Sequence, residues 1–429
     1  MATQLPPARA GRRPRTVRTA PAVSAAPVPG PYATGHIAPL DGLRGLAVLG
    51  VLLFHTGHLG GGFLGVDLFF VLSGFLITGL LLRETGARDG RIDLVAFWGR
   101  RARRLLPALA VMIAGTLVLV WALGPPALLR HALDDAPWVA ANLANWHFVS
   151  EQVGYWDSAD TRVFAHLWSI AVEEQFYLVW PLLLGLAARG RDAHRRVAVL
   201  ATAGAAVSLA LMIVLTVPAD TTRVYEGTDT RAFSLLLGAL AATAPASRLL
   251  ARAGDRAAGW AGAVLVCGIG AYWATADGQD DLSLFQGGLF LHALAAALLI
   301  GLLARAPRTL AGRLLAAPPL RWFGLLSYSL YLWHWPACLL LSEERLGLSG
   351  WSRTAVVLAV STAAARLSKT LVEDPVRHRA RWAKGRTGLA ALLATFAALA
   401  VLWLLIPQPQ TATGTVDITR LLPAPPAAG

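Results

Sequence analysis

Residues 40–58 read LDGLRGLAVLGVLLFHTGH. The stretch is apolar and of a length to cross a bilayer as a helix, which takes about 20 residues. Yet it carries Asp41, Arg44 and His55. Ionisable side chains are expensive in hydrocarbon and are kept where they face a bundle interior or a watery cavity. A helix turns about 100° and rises about 1.5 Å per residue, so Arg44 and His55 return to one face about 16 Å apart. Asp41 falls near the same side, one turn before Arg44. The same spacing also admits a second reading, an interfacial Asp41–Arg44 pair and a hydrogen-bonded core histidine.

The next apolar run, GGGFLGVDLFFVLSGFLIT, contains Asp67 and Ser73. The intervening turn centres near Gly61, which puts His55 six residues before it and Asp67 six after. In an antiparallel hairpin the two lie at similar depth. A carboxylate beside an imidazole fixes its tautomer and raises its basicity, so Asp67 is expected to orient His55. If the two do not face each other, Asp67 instead ties the hairpin to a neighbouring helix.

The whole chain fits the reading of these two runs. Of its 429 residues, 55% are hydrophobic and 15% charged, against about 25% charged in soluble proteins. Eleven spans are expected, near 40–58, 62–82, 106–124, 167–188, 197–217, 231–244, 259–276, 285–304, 322–341, 353–371 and 387–406. With the N-terminus inside, the loops 83–105, 189–196, 245–258, 305–321 and 372–386 are rich in arginine. The outside segments hold only Arg130, Arg162, Arg223, Arg345 and Arg420. This alternation is the positive-inside pattern. It also weakens the case for a nucleic-acid partner, because the formal charge of +13 is spread between spans and forms no single stripe. The fold class is therefore an all-α polytopic membrane bundle. Residues 1–38 read as a basic, disordered cytoplasmic tail and 407–429 as a disordered external one. Cys267 and Cys338 lie in apolar runs without metal spacing and read as small core or lipid-facing residues.

Further polar groups recur along the chain. FWGRRARRLLP places Arg100, Arg101, Arg103 and Arg104 at the inner face, where they serve either topology and lipid contact or a phosphate clamp. AHLWSIAVEEQFYLVWP sets His166, Glu173 and Tyr177 on one face. The adjacent Glu174 must point elsewhere. Asp229 and Arg231 read as a structural ion pair at an external helix mouth. SYSLYLWHWP buries His334 in the ninth span as a packing residue or as part of a site lining.

Six stretches, DGLRGLAVLGVLLFH, GVDLFFVLSGF, RRARRLLP, HLWSIAVEEQFYLVWP, GTDTR and SLYLWHWP, occur in order over residues 41–336. By them the chain resembles the membrane acyltransferase 3 family, integral-membrane O-acyltransferases of bacterial glycans and macrolides. The resemblance implies a ten-helix acyltransferase domain over 39–386, with 387–406 as an additional transmembrane helix. It implies transfer of an acyl group, usually acetyl from acetyl-CoA, to a hydroxyl of a cell-envelope glycan, or of a macrolide. The family's Arg-x10-His pattern falls on Arg44 and His55, and its arginine motif on Arg100, Arg101 and Arg104. To these we add Asp67 and Glu173 as catalytic candidates. Asp41, Ser73, His166, Glu174, Tyr177, Asp229, Arg231 and His334 are candidate lining residues. No metal is expected. Glycan-modifying relatives often continue into an SGNH hydrolase-like domain, so this chain is expected to act directly, to work with a separate SGNH-type partner, or to be a shortened version of such a protein. A transporter of lipid-linked glycan is the non-enzymatic rival.

Overall fold

In hydrocarbon every backbone N–H and C=O must be satisfied within the protein, and this chain meets the demand with helices. The computed structural model describes residues 36–409 apart from 89, 153–160, 191, 279–280 and 384, and these contain no strand. Most of the tails expected at 1–38 and 407–429 lie outside the described residues.

The amino-terminal half comprises α1 (Ala38–His55), α2 (Gly65–Ala87), α3 (Leu94–Leu123), α4 (Pro126–Ala140), α5 (Ala144–Ser150), α6 (Trp168–Ala187) and α7 (Ala193–Leu215). Then come α8 (Thr222–Glu226), α9 (Thr228–Ala241), α10 (Ala244–Ala251), α11 (Asp255–Thr275) and α12 (Gly288–Arg305). The chain closes with α13 (Leu310–Leu315), α14 (Pro318–Leu340), α15 (Glu343–Leu346), α16 (Gly350–Ser368) and α17 (Gly385–Leu405).

Each expected span coincides with one of these helices. Among the described residues, nine are long and apolar enough to cross a membrane unaided. The span expected at 231–244 is one arm of a pair, Thr222–Ala241 and Ala244–Ala251, bent by 68°. The remaining one, α14, is 23 residues long but rich in Tyr, Trp and His, and is packed against α1, α3 and α16. Burial in protein lets it carry polar groups that lipid would penalise.

Two boundaries moved in ways that matter. The span expected at 106–124 starts at Leu94, because Asp93 caps the helix by accepting from Ala96 N at 2.9 Å. The arginine run therefore lies on a helix and not in a loop. The external segment 125–166, expected as a loop, contains the helices α4 and α5.

Helix α1 meets α14 through small residues. A Cβ built on Gly45 would lie 2.0 Å from Leu320 O, and one on Gly324 would lie 1.7 Å from Asp41 O. Only glycine permits this backbone approach.

Prolines within helices supply a second kind of joint. A proline has no N–H to give the carbonyl four residues earlier. The carbonyls so released are used three times: Leu332 O, opposite Pro336, faces His166 Nε2 at 3.2 Å. Tyr177 O, opposite Pro181, accepts from Trp98 Nε1 at 3.0 Å. Leu133 O, opposite Pro137, accepts from Trp403 Nε1 at 2.8 Å.

Candidate active site

A cavity opens between α1, α2, α3, α6 and α14. At its inner end Arg44, Arg101 and Arg104 converge. The helical start of α3 explains the selection. Arg101 and Arg104 are three residues apart and share a face, while Arg100 turns away to Glu84 (3.4 Å) and Arg103 donates to Ala383 O (3.3 Å). The guanidinium of Arg101 also sits over the Tyr177 ring, 5.3 Å from its centroid. Among the described residues Arg44, Arg101 and Arg104 make no ion pair or hydrogen bond.

The walls beyond are mostly apolar, with Phe69, Phe70, Leu72 and Leu76 from α2. One carboxylate enters. Glu173 Oε1 accepts from the hydroxyls of Ser73 and Tyr177. At the far end Ser169 Oγ and Tyr331 OH are hydrogen-bonded at 2.7 Å, and Tyr331 OH also donates to His166 O at 2.9 Å.

Beyond that hydroxyl pair, towards the outer face, three histidines gather. His55 Nδ1 lies 2.9 Å from His334 Nε2, with the two rings stacked 5.0 Å apart. His166 meets His334 edge-on at 5.3 Å, and Trp335 covers His55 at 4.4 Å. His55, His166 and His334 do not line the cavity. The cavity thus runs from the arginine mouth along an apolar wall to the Ser169–Tyr331 pair, and the histidine cluster lies beyond that pair.

Residues 37–367 match a family model described as an acyltransferase domain. The chain belongs to the membrane acyltransferase 3 family. YrhL of Bacillus subtilis is 37% identical over 356 residues, covering 80% of this chain and 55% of that protein. The peptidoglycan O-acetyltransferase OatA of Listeria monocytogenes is 35% identical over 356 residues, covering 81% and 56%. The O-acetyltransferase OatA of Staphylococcus aureus is 33% identical over 357 residues, covering 81% and 58%. The chain thus spans 55–58% of the length of these relatives. No solved structure matches it.

Two expected pairings are overturned. Asp67 does not orient His55. Its Oδ2 accepts from Arg231 Nη2 at 2.7 Å and its Oδ1 from Ser234 Oγ at 2.8 Å, both partners on α9. Asp229 in turn does not pair with Arg231. It holds Arg223 through two bonds of 2.9 and 2.6 Å. Helix rotation, which hairpin depth does not fix, turns Asp67 away from α1 and towards α9.

The other expected residues divide. Ser73, Glu173, Tyr177, Arg44, Arg101 and Arg104 line the cavity. Asp41 stays outside it and pairs with His36. Arg100, Asp229 and Arg231 also lie outside. Glu174 is half-buried beside the cavity, with Glu173, Arg101 and Arg104 as its charged neighbours. Ser169 and Tyr331 were missed as site candidates. For Ser169 the signal was present, since positions 166, 169, 173 and 177 form one continuous helical stripe.

On the outer side, α4 and α5 form a cap around one buried guanidinium. Arg162 Nη1 donates to Asp135 Oδ1 at 2.6 Å, its Nη2 to Glu151, and His147 Nε2 faces the same Asp135 oxygen at 3.2 Å. Trp335 Nε1 donates to Arg162 O at 2.9 Å, which joins the cap to the ring that covers His55. Burial pushes the Asp135 carboxyl up to about 7 from its ordinary 3.8, against the pull of Arg162. Folded protein therefore holds a proton on Asp135 that the unfolded chain has already lost, so this contribution to stability falls as pH rises between those values. The unfolding temperature of the wild type should drop relative to that of Asp135→Asn as pH is raised from 4 to 7. Parallel curves would refute this.

Proposed function

We propose that this protein is an O-acyltransferase that takes an acyl group, with acetyl the first candidate, from acyl-CoA at the cytoplasmic face. The acceptor is a hydroxyl of a cell-envelope glycan. The observation that carries the donor assignment is the inner mouth, where three guanidiniums converge without a bound carboxylate. Of the two carboxylates nearby, Glu173 is engaged by two hydroxyls, and Glu174 makes no ion pair with these guanidiniums among the described residues. Guanidinium forks suit phosphate oxygens, and CoA presents phosphates followed by a long, weakly polar arm. Arg101 and Arg104 hold the phosphates, Arg44 stands deeper in the same cavity, and the α2 wall contacts the arm. The acyl end reaches His55 past Ser169 and Tyr331. His55 then takes the proton of the acceptor hydroxyl as general base.

Family membership favours acyl transfer over the transport of a lipid-linked glycan. The glycan acceptor is favoured by the Listeria monocytogenes relative, whose name specifies peptidoglycan.

The test is binding and turnover of acetyl-CoA by purified protein in vesicles. Charge-assisted hydrogen bonds contribute about 1.5–3 kcal/mol each. Arg101→Ala combined with Arg104→Ala should therefore weaken donor affinity by at least ~100-fold, with a shallower salt dependence. An unchanged affinity would return both arginines to topology and lipid contact.

A further inference from the structure

We infer that His334 is a positioning residue that fixes the tautomer of His55, so that the base is His55 Nε2. The inference rests on the acyl-transfer reading above for its role, although its geometry stands independently.

His334 Nδ1 lies 2.6 Å from Tyr331 O. A carbonyl only accepts, so Nδ1 carries a proton. His334 is fully buried, with no carboxylate partner among the described residues, and a lone imidazolium is expensive there. It is therefore neutral, and its Nε2 holds a lone pair. His55 Nδ1, 2.9 Å from that nitrogen, must then be the donor. A neutral His55 with its proton on Nδ1 has its lone pair on Nε2.

Sequence explains why this part of α14 can do so. Pro336 withholds its N–H from Leu332 O, which is left to accept from His166 Nε2. Neighbouring carbonyls of one helical turn thus orient two of the three histidines. His166 is locked with its lone pair on Nδ1 and His334 with its lone pair on Nε2, and of the two it is His334 that bonds His55.

In the transfer, the acceptor hydroxyl gives its proton to His55 Nε2 as its oxygen bonds to the thioester carbon. The carbon–sulfur bond then breaks, and the thiolate takes the proton from Nε2. Throughout, His55 Nδ1–H stays bonded to His334, whose lone pair stabilises the transient imidazolium. His334 plays the part that a carboxylate plays in a serine hydrolase triad, without placing a fixed negative charge in the membrane.

The tautomer is read directly by 15N spectra of histidine-labelled protein in bilayers, with the His55 signals assigned by their loss in His55→Gln. Wild type should show a protonated Nδ1 and an unprotonated Nε2 for His55. His334→Phe, which has no acceptor, should move the proton to Nε2. It should also lower kcat for acetyl transfer by at least ~100-fold, as expected for loss of tautomer control, with the donor KM little changed. His334→Gln, which offers an acceptor oxygen near the same place, should retain the Nδ1 proton and recover most of the rate. A wild-type His55 protonated on Nε2, or a tautomer unmoved by His334→Phe, overturns the inference. If phenylalanine prevents folding, the wild-type and glutamine spectra decide. The expected tautomers in a protein that neither binds nor turns over acetyl-CoA would support this inference and sink the proposed function instead.

Discussion

Replacing His55 by alanine should lower acyl transfer by about 10²–10⁴-fold, the usual contribution of a general base, while acetyl-CoA binding stays at the wild-type level. The separation of the two effects follows from the geometry. His55 does not line the cavity, and the arginines proposed to hold the donor sit at its opposite end. The lost ring leaves a gap beside Trp335 and His334, near the outer face and away from the glycine-mediated contact of α1 with α14. The variant should therefore insert and fold. Titration with acetyl-CoA and a CoA-release assay on the same preparation give the two numbers. Full activity in His55→Ala would sink the mechanism, and lost donor binding would show that His55 shapes the donor cavity.

The second large effect belongs to Asp67, and it concerns stability. Asp67 and Arg231 are both 0% exposed, and the guanidinium also lies over Tyr225 (4.9 Å) and Trp168 (5.7 Å). Removing one partner of a buried pair leaves the other charge stranded, at a cost of about 3–5 kcal/mol. Asp67→Ala should fall by that order in thermal or denaturant unfolding. Pairing Asp67→Leu with Arg231→Met should restore much of the loss, since apolar residues often replace a buried pair without penalty. Donor binding in the double variant should then approach wild type. Normal stability in Asp67→Ala with abolished turnover would put Asp67 back among the catalytic groups.

The contrast between these two residues marks what the sequence could convey. Spacing along one helix is rigid, so the shared face of Glu173 and Tyr177 was readable, and the two side chains meet in the cavity. The partner across a helix interface was not. Matching His55 to Asp67 used depth in the membrane and chain direction, but rotation about the helix axis stayed open, and α2 is turned so that Asp67 meets α9. His334 lay 279 residues from His55, with nothing local to announce the contact. The arginine cluster shows the opposite case. Its residues were visible, but only the Asp93 cap, which extends α3 back to Leu94, separates Arg101 and Arg104 from Arg100 and Arg103.

The hydroxyl pair of Ser169 and Tyr331 carries one more consequence. The proposed passage of an acylated arm from the arginine mouth to the histidines requires an opening that protons could also use. Each elementary charge that crosses an energised membrane dissipates about 2.3 kcal/mol per 100 mV. The bond between Ser169 and Tyr331 closes the inner cavity where it meets the histidine cluster. Under the proposed function this contact separates the donor cavity from the histidines when no donor is present, and it must part for an acyl chain to pass.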